Sequence, residues 1–156
     1  MAIDRVLRGH DLFGLLNVDQ MKRLSEMSSV KQYGAGETVF AFNDAANHVF
    51  MMLNGAVALR LPADHQEFSL VISQLEKGEL FGLSPLLDSP RYTAEATCGA
   101  DSEILLIEAK PFEELLRQNC MAGLTIMNRV AHIYFTRYIS VLKSLQGVVN
   151  QVSLIR

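Results

Sequence analysis

The sequence lacks the cysteine and histidine patterns that mark a metal site or a disulfide framework. Its two cysteines, Cys98 and Cys120, form no Cys-x-x-Cys unit and have no histidine at metal-ligand spacing. We therefore expect two reduced, buried thiols in a cytoplasmic protein. The four histidines are far apart, without the cluster that a metal enzyme would need on neighbouring strands.

Further absences narrow the class of protein. Lysines and arginines occur mostly singly and the net charge is −3, so no basic run indicates a nucleic-acid surface. No uncharged apolar stretch is long enough to span a membrane, and the charged first segment has no signal-peptide core. No Gly-x-Ser-x-Gly elbow or other catalytic spacing is present. We expect a non-enzymatic protein with no catalytic or metal residues and no membrane or direct nucleic-acid partner.

The composition is that of an ordinary globular domain. With 156 residues, 49% hydrophobic and 20% charged, the chain is predicted to form one folded domain. Hydrophobic periodicity divides it into helices at 1–28, strands at 29–108 and helices at 109–156. Asn17 followed by Gln20 is typical of a capping box and starts a helix that carries apolar residues to about Met27.

The central part alternates short apolar runs with turns, which favours an antiparallel barrel or jelly roll. Runs at 49–53 and 56–61 flank Asn54-Gly55, the strongest short-range signal of a β-hairpin. Residues 62–67 are predicted to form a polar loop. The predicted fold class is α+β: an antiparallel β-roll (a jelly-roll-like barrel) with N-terminal helices and a long C-terminal helix.

A long helix is predicted from about Met121 to Gln146, with Gly147 weakening it. Apolar residues alternate steps of three and four along one stripe: Leu124, Met127, Ala131, Tyr134, Tyr138, Val141, Leu145 and Val148. A second stripe consists of Ile126, Val130, Ile133 and Ile139. Two apolar faces need two partners, so we expect the β-roll on one side and a second copy of the chain on the other.

The stretch from Gly78 to Thr97 contains the motif around which the rest of the chain is interpreted. It is interpreted as a strand end, a turn at Gly82, a one-turn helix at Ser84–Leu87, a second turn, and a new strand. Gly82 either needs a positive φ or allows a close approach of the backbone. Free N–H groups at the start of such a helix, next to a guanidinium, would suit an anion such as a phosphate.

This stretch resembles the phosphate-binding cassette of cyclic-nucleotide-binding domains, as in catabolite activator proteins and regulatory subunits of cAMP-dependent kinases. Phe81-Gly82 and Leu86-Leu87 match the cassette, and Thr93-Ala94 falls at the expected distance. Two positions differ from the family's cassette. The family's ribose-binding Glu falls on Leu83, and its phosphate-binding Arg falls on Tyr92, with Arg91 one position early.

The resemblance implies a set of candidate ligand-binding residues: Phe81, Gly82, Leu83, Ser84, Arg91, Tyr92, Thr93, Ala94 and Thr136. Either Arg91 pairs with a phosphate or carboxylate while the Tyr92 hydroxyl acts as a neutral donor, or Arg91 is solvated and Tyr92 fills the vacated pocket. Leu83 would line or close the cavity, so a ligand should be less polar there. Thr136, beside Arg137, lies where the family's helix contacts the base, or belongs to an ordinary polar face.

Three functions remain open. The first is a regulatory sensor domain in which a small anionic ligand, with a cyclic nucleotide such as cAMP as one candidate, repositions the long helix. The second is a degenerate, ligand-free domain that serves homodimerisation or binds a protein partner. The third is a cupin-like metal enzyme. The family's transcription factors continue into a helix-turn-helix domain, and the residues after Gly147 are too few for one.

Overall fold

The computed structural model of the chain describes residues 2–62 and 69–155. Four α-helices are present in these ranges: α1 (Ala2–Arg8), α2 (Val18–Glu26), α3 (Ala109–Gln118) and α4 (Cys120–Ser153). A short 3₁₀ turn at Asp11–Phe13 lies between α1 and α2. The predicted capping box at α2 is confirmed: Asn17 Oδ1 accepts from Gln20 N at 2.9 Å, and Gln20 Oε1 accepts from Asn17 N at 3.1 Å.

Within the described ranges, eight antiparallel strands form two four-stranded sheets. They are β1 (Ser28–Tyr33), β2 (Thr38–Phe40), β3 (His48–Asn54), β4 (Val57–Leu61), β5 (Leu70–Leu75), β6 (Leu80–Phe81), β7 (Glu95–Cys98) and β8 (Ser102–Glu108). One sheet has the order β1-β8-β3-β6 and the other β2-β7-β4-β5. The predicted α+β fold class is therefore confirmed, with a β-roll between N-terminal helices and a long C-terminal helix.

The two central strands of the first sheet, β3 and β8, are buried on both faces. Val49 and Met51 of β3 point into a core shared with the helices. Phe50 and Met52 of the same strand point into a second core between the two sheets. A strand covered on both faces is expected to be a continuous apolar run rather than an alternating one, which explains the uninterrupted sequence of β3.

The predicted hairpin around Asn54-Gly55 is wrong. The structure pairs β3 with β8 and β6, and β4 with β5 and β7, so the turn carries the chain from one sheet to the other. Gly55 has φ 101°, and Ala56 N donates to Ser102 Oγ at 3.1 Å. The local signal identified the turn correctly, but the strand partners are set by the two cores, which the turn residues do not encode.

The predicted end of the long helix is also wrong, because α4 continues through Gly147 to Ser153. A glycine within a helix costs only about 1 kcal/mol relative to alanine, which the flanking helical turns can absorb. Gly147 has open space where a Cβ would lie, so no tertiary contact forces the helix to stop there.

Other local features complete the fold. Cys98 is buried as expected, but Cys120 is exposed at the start of α4, which corrects the expectation of two buried thiols. The polar loop predicted at 62–67 lies, apart from Pro62, outside the described residues. Within the described ranges, no helix combines the length and apolar character needed to cross a membrane. The same ranges bring no three His, Cys, Asp or Glu side chains together as metal ligands.

Candidate functional site

The segment that leaves β6 makes its turn at Gly82. This residue has φ 62°, and a Cβ there would lie 2.5 Å from a ring carbon of Phe50. Both reasons for a glycine that the sequence suggested therefore apply: a left-handed backbone and a close approach. The predicted one-turn helix follows as a 3₁₀ turn at Ser84–Leu87, which Asp88 ends in the left-handed conformation.

The next segment is fixed to the loop before β3. Asn43 N donates to Tyr92 O at 2.9 Å, and Tyr92 N donates to Asp44 O at 3.0 Å. Because neighbouring side chains of an extended segment point to opposite sides, Arg91 and Tyr92 diverge. Arg91 is exposed, and its Nη1 donates to Asn43 O at 2.8 Å, whereas Tyr92 is buried.

Tyr92 is part of an aromatic cluster inside the roll. Its ring stacks on Phe40 at a centroid distance of 4.0 Å and lies 6.1 Å from Phe50. Its hydroxyl donates to His48 O at 2.7 Å and accepts from His48 N at 3.2 Å. The hydroxyl is thus hydrogen-bonded to the backbone of β3, and the Tyr92 ring forms part of the inner surface of the roll.

A cavity of about 320 Å³ lies between this inner surface and α4. Its lining from the β-roll consists of Phe40, Leu59, Ile72, Gly82, Leu83, Ser84, Tyr92, Thr93 and Ala94. Its lining from α4 consists of Tyr134, Arg137, Tyr138 and Val141. The four helix residues are spaced i, i+3, i+4 and i+7, so they share one face. The helix therefore covers part of the cavity as a lid and leaves this side half open, with Tyr138 59% exposed.

Arg137 is the only charged residue among the described residues that line this cavity. Its guanidinium carbon lies 5.5 Å from the centre of the Tyr134 ring, within range of a cation–π contact. Burial lowers the pKa of Arg137, opposed by the charges of Tyr134 and Glu79. Burial also raises the pKa of Tyr134, opposed by Arg137, and raises the pKa of Tyr92, opposed by its hydrogen bonds to the β3 backbone.

The nine candidate residues divide into two groups. Six of them line the cavity: Gly82, Leu83, Ser84, Tyr92, Thr93 and Ala94. The other three are placed elsewhere. Phe81 is fully buried in the core between the sheets, Arg91 points to the 43–46 loop, and Thr136 lines a separate cavity of about 170 Å³.

The first apolar stripe of the long helix, which is the predicted seam with a second copy of the chain, includes Tyr134, Tyr138 and Val141. The candidate ligand-binding residues include Thr136 but not Arg137. The structure places these three seam residues and Arg137 on the cavity. Their helical spacing puts them on one face, a signal that was readable in the sequence. The direction in which that face points depends on how α4 leaves the core, where Ala122, Ile126 and Val130 are buried.

The fold is thus a β-roll with a cavity that its own C-terminal helix lines on one side. The sequence matches the family model for the cyclic nucleotide-binding domain over residues 30–119, more than half of the chain. The chain therefore belongs to the cyclic nucleotide-binding domain family, as its cassette predicted. Domains of this family are typically regulatory.

Two curated relatives match most of this chain. The chain is 29% identical over 140 residues to the cAMP-dependent protein kinase type II regulatory subunit of Drosophila melanogaster, covering 89% of this chain and 35% of that protein. It is 28% identical over 126 residues to glutaminase 1 of Bradyrhizobium diazoefficiens, covering 80% of this chain and 19% of that protein. The chain thus spans well under half the length of either protein.

The likeness extends to solved structures. The sensor domain of the transcriptional regulator DNR from Pseudomonas aeruginosa superposes with a TM-score of 0.73 at 20% identity. The match covers 87% of this chain and 96% of that domain. At this level of identity the likeness is one of fold.

Proposed function

We propose that this chain is a non-enzymatic sensor domain that binds a small anionic ligand in the β-roll cavity and signals by moving α4. The observation that carries the proposal is that one cavity is lined from two sides, by the cassette and by α4. A ligand in that space would contact both, and would stabilise the arrangement in which both contacts are made. A cyclic nucleotide such as cAMP is one candidate ligand.

The packing of α4 supports a signalling role. Its buried residues, Ala122, Ile126 and Val130, all lie in the first third of the helix. From Tyr134 onward the helix is mostly exposed, and Tyr134 and Tyr138 are themselves 37% and 59% exposed. An element with few buried contacts changes position at low cost, so this half of α4 is suited to respond to a ligand.

A thermal-shift titration tests the proposal. The panel contains cAMP, cGMP, cyclic dinucleotides and small organic acids. A ligand at about 100 times its dissociation constant should raise the unfolding temperature by roughly 5 to 10 °C. Hydrogen exchange of the same complex should show slower exchange in residues 134–141, because the ligand would hold this part of α4 against the roll.

A cavity-filling variant supplies the control. Ala94→Phe places a ring in the cavity and should abolish the shift, whereas Ala100→Phe, at an exposed position outside the cavity, should keep it. If no member of the panel shifts the unfolding temperature of the unaltered chain, the sensor proposal fails and the ligand-free alternative takes its place.

The alternative is a ligand-free domain that dimerises through α4. It is favoured by one observation: a large apolar surface remains exposed on the second half of the helix. The exposed residues there include Phe135, Val141, Leu142, Leu145, Val148, Val149 and Val152. A contiguous patch of this kind often marks an interface. A second copy of the chain, or another protein, would cover it.

Sedimentation equilibrium tests the dimer. Leu145→Glu puts a charge on the predicted seam beyond the cavity and should convert a dimer to monomers. Ser144→Glu adds the same charge to the neighbouring exposed position and should leave the dimer intact. A chain that is already monomeric at high concentration would contradict the homodimer.

A further inference from the structure

The charge of the cavity comes from the helix and not from the cassette. At the cassette position where an arginine was expected, Tyr92 presents a ring, and Arg91 binds the carbonyl of Asn43 instead. Arg137 of α4 is the cation that lines the cavity, and it also lines the neighbouring cavity that contains Glu79 and Thr136. Any anionic group that enters would therefore meet its counter-charge on the lid.

Arg137 is available for such a group. Among the residues that the structure describes, no carboxylate lies within ion-pair distance of its guanidinium. Glu79 is the acid whose charge acts on Arg137, and one of its oxygens accepts from Glu76 N at 2.8 Å. A partly buried guanidinium without an ion pair has lost hydration that a ligand anion would replace with charge-assisted hydrogen bonds.

The opposite wall is poor in polar partners. Leu83, at the family's ribose-binding position, is 2% exposed and cannot accept a hydrogen bond. The Tyr92 hydroxyl is engaged with both backbone groups of His48. A sugar hydroxyl placed against Leu83 or the Tyr92 ring would lose its water without gaining a partner there, so this part of the wall disfavours ribose. The hydroxyls on the wall are those of Ser84 and Thr93.

The same wall suits an aromatic ring. Phe40 and Tyr92 are stacked with an interplanar angle of 22°, and Tyr134 and Tyr138 face them from α4. Aromatic side chains favour ring partners in stacked or edge-on geometry. The cavity volume of about 320 Å³ is at the small end of the range for ligand pockets, which favours a compact ligand of one or two rings.

Building on the proposed function of this cavity, we propose that its ligand is a small aromatic acid, whose anionic group pairs with Arg137 and whose ring packs against Leu83, Phe40 and Tyr92. The pairing places the ligand's charge directly on α4. Loss of the ligand then leaves Arg137 unpaired and frees α4 to move, and this couples ligand binding to the position of the helix.

Calorimetric titration of the whole chain with three aromatic acids tests this: benzoate, phenylacetate and indole-3-acetate. We expect at least one dissociation constant below about 1 mM. Phenylacetamide and indole-3-acetamide are matched neutral probes, and they should bind at least about tenfold more weakly because they cannot form the ion pair. This comparison needs no variant and therefore does not depend on any variant folding.

Three substitutions at two positions of α4 test whether Arg137 supplies the charge that binds the acid. Arg137→Gln should weaken binding of the acid by about tenfold or more and leave binding of the amide unchanged. Arg129→Gln removes the same charge two helical turns away, at an exposed residue that does not line this cavity, and should change neither. Arg137→Lys should retain part of the discrimination between acid and amide.

The outcomes separate this inference from the proposed function. If cAMP or another cyclic nucleotide binds while all three aromatic acids fail, the inference is overturned and the sensor function stands. Equal binding of acids and amides, or full binding by Arg137→Gln, also overturns it. If no probe of either class binds, both proposals fall.

Discussion

The two walls of the cavity differ in how firmly they are built. The cassette wall is buried and tied by hydrogen bonds: Leu83, Ser84 and Tyr92 are 2%, 6% and 4% exposed. The helix wall is half open, with Tyr138 59% exposed, and beyond it α4 continues to Ser153 without any buried residue. The cassette wall carries no charge, whereas the helix wall carries Arg137.

This contrast indicates that the cassette wall contributes to the stability of the fold, whereas the far half of α4 contributes little to it and can change position more easily. Substitutions in the cassette wall act on close packing and on bonded backbone, so they should change the free energy of unfolding. Substitutions in the far half of α4 act on a helix with few tertiary contacts, so they should follow intrinsic helix propensity instead. The following substitutions test this difference.

The largest effect is expected for Gly82→Ala in the cassette wall. An alanine there would have to keep the left-handed backbone conformation, and its Cβ would clash with the ring of Phe50. We expect a loss of roughly 2 to 4 kcal/mol in the free energy of unfolding, measured by urea titration.

Gly36→Ala is the matched control, because Gly36 has φ 84° but open space around the Cβ position. It should cost only about 1 to 2 kcal/mol, the conformational part alone. Equal costs at both positions would show that the close approach at Gly82 contributes nothing.

A smaller effect is expected for Tyr92→Phe. This change leaves the ring in place but removes the hydroxyl that bonds both backbone groups of His48. The free energy of unfolding should fall by about 1 to 2 kcal/mol at neutral pH, as measured by urea titration. Tyr138→Phe, on the exposed helix wall, should change it by less than about 0.5 kcal/mol.

Tyr92→Phe should also change how the free energy of unfolding depends on pH. Burial raises the pKa of Tyr92 in the folded state, so above the ordinary value near pH 10 the unfolded chain binds fewer protons than the folded one. Stability should therefore fall as pH rises through that range. Tyr92→Phe should fall less steeply, while Tyr134 and Cys98, whose pKa values are also raised by burial, continue to contribute. Identical alkaline slopes would contradict this assignment.

The smallest effect, and one of opposite sign, is expected for Gly147→Ala in the far half of α4. With nothing near the new Cβ, only helix propensity changes, so stability should rise by about 0.5 to 1 kcal/mol in the same titration. Gly123→Ala, earlier on the helix, would bring a Cβ to 2.7 Å from the carbonyl oxygen of Leu116 and should destabilise. A destabilised Gly147→Ala would show that another surface packs against this part of α4.

Local features of the fold were predictable because they depend on neighbouring residues. The capping box at Asn17, the turn at Gly82 and the one-turn helix at Ser84–Leu87 each need only a few consecutive side chains. The partners of β3 were not predictable in this way. The turn at Asn54-Gly55 would fit a hairpin equally well, and the choice was made by two cores that draw on strands distant in the sequence.

The candidate site shows the same division. The cassette could be located from its motif, and six of the nine proposed residues line the cavity. Which of Arg91 and Tyr92 points into the roll could not be decided from the sequence, because that choice depends on the hydrogen bonds to residues 43–46. The choice between Thr136 and Arg137 depends on the rotation of α4 about its axis, and one residue along a helix changes the direction of a side chain by about 100°.

The β-roll between helices could be predicted from the sequence, and the resemblance of the cassette indicated the family and placed Leu83 and Tyr92 at the family's acidic and basic ligand-binding positions. These follow from periodicity, turn chemistry and motif spacing, all of which are local. Only the tertiary structure decided that Arg137 faces the cavity, that the Tyr92 hydroxyl is used by β3, and that the far half of α4 is left exposed. The physical reason is that each depends on packing between segments far apart in the chain, where burial and not local preference sets the direction of a side chain.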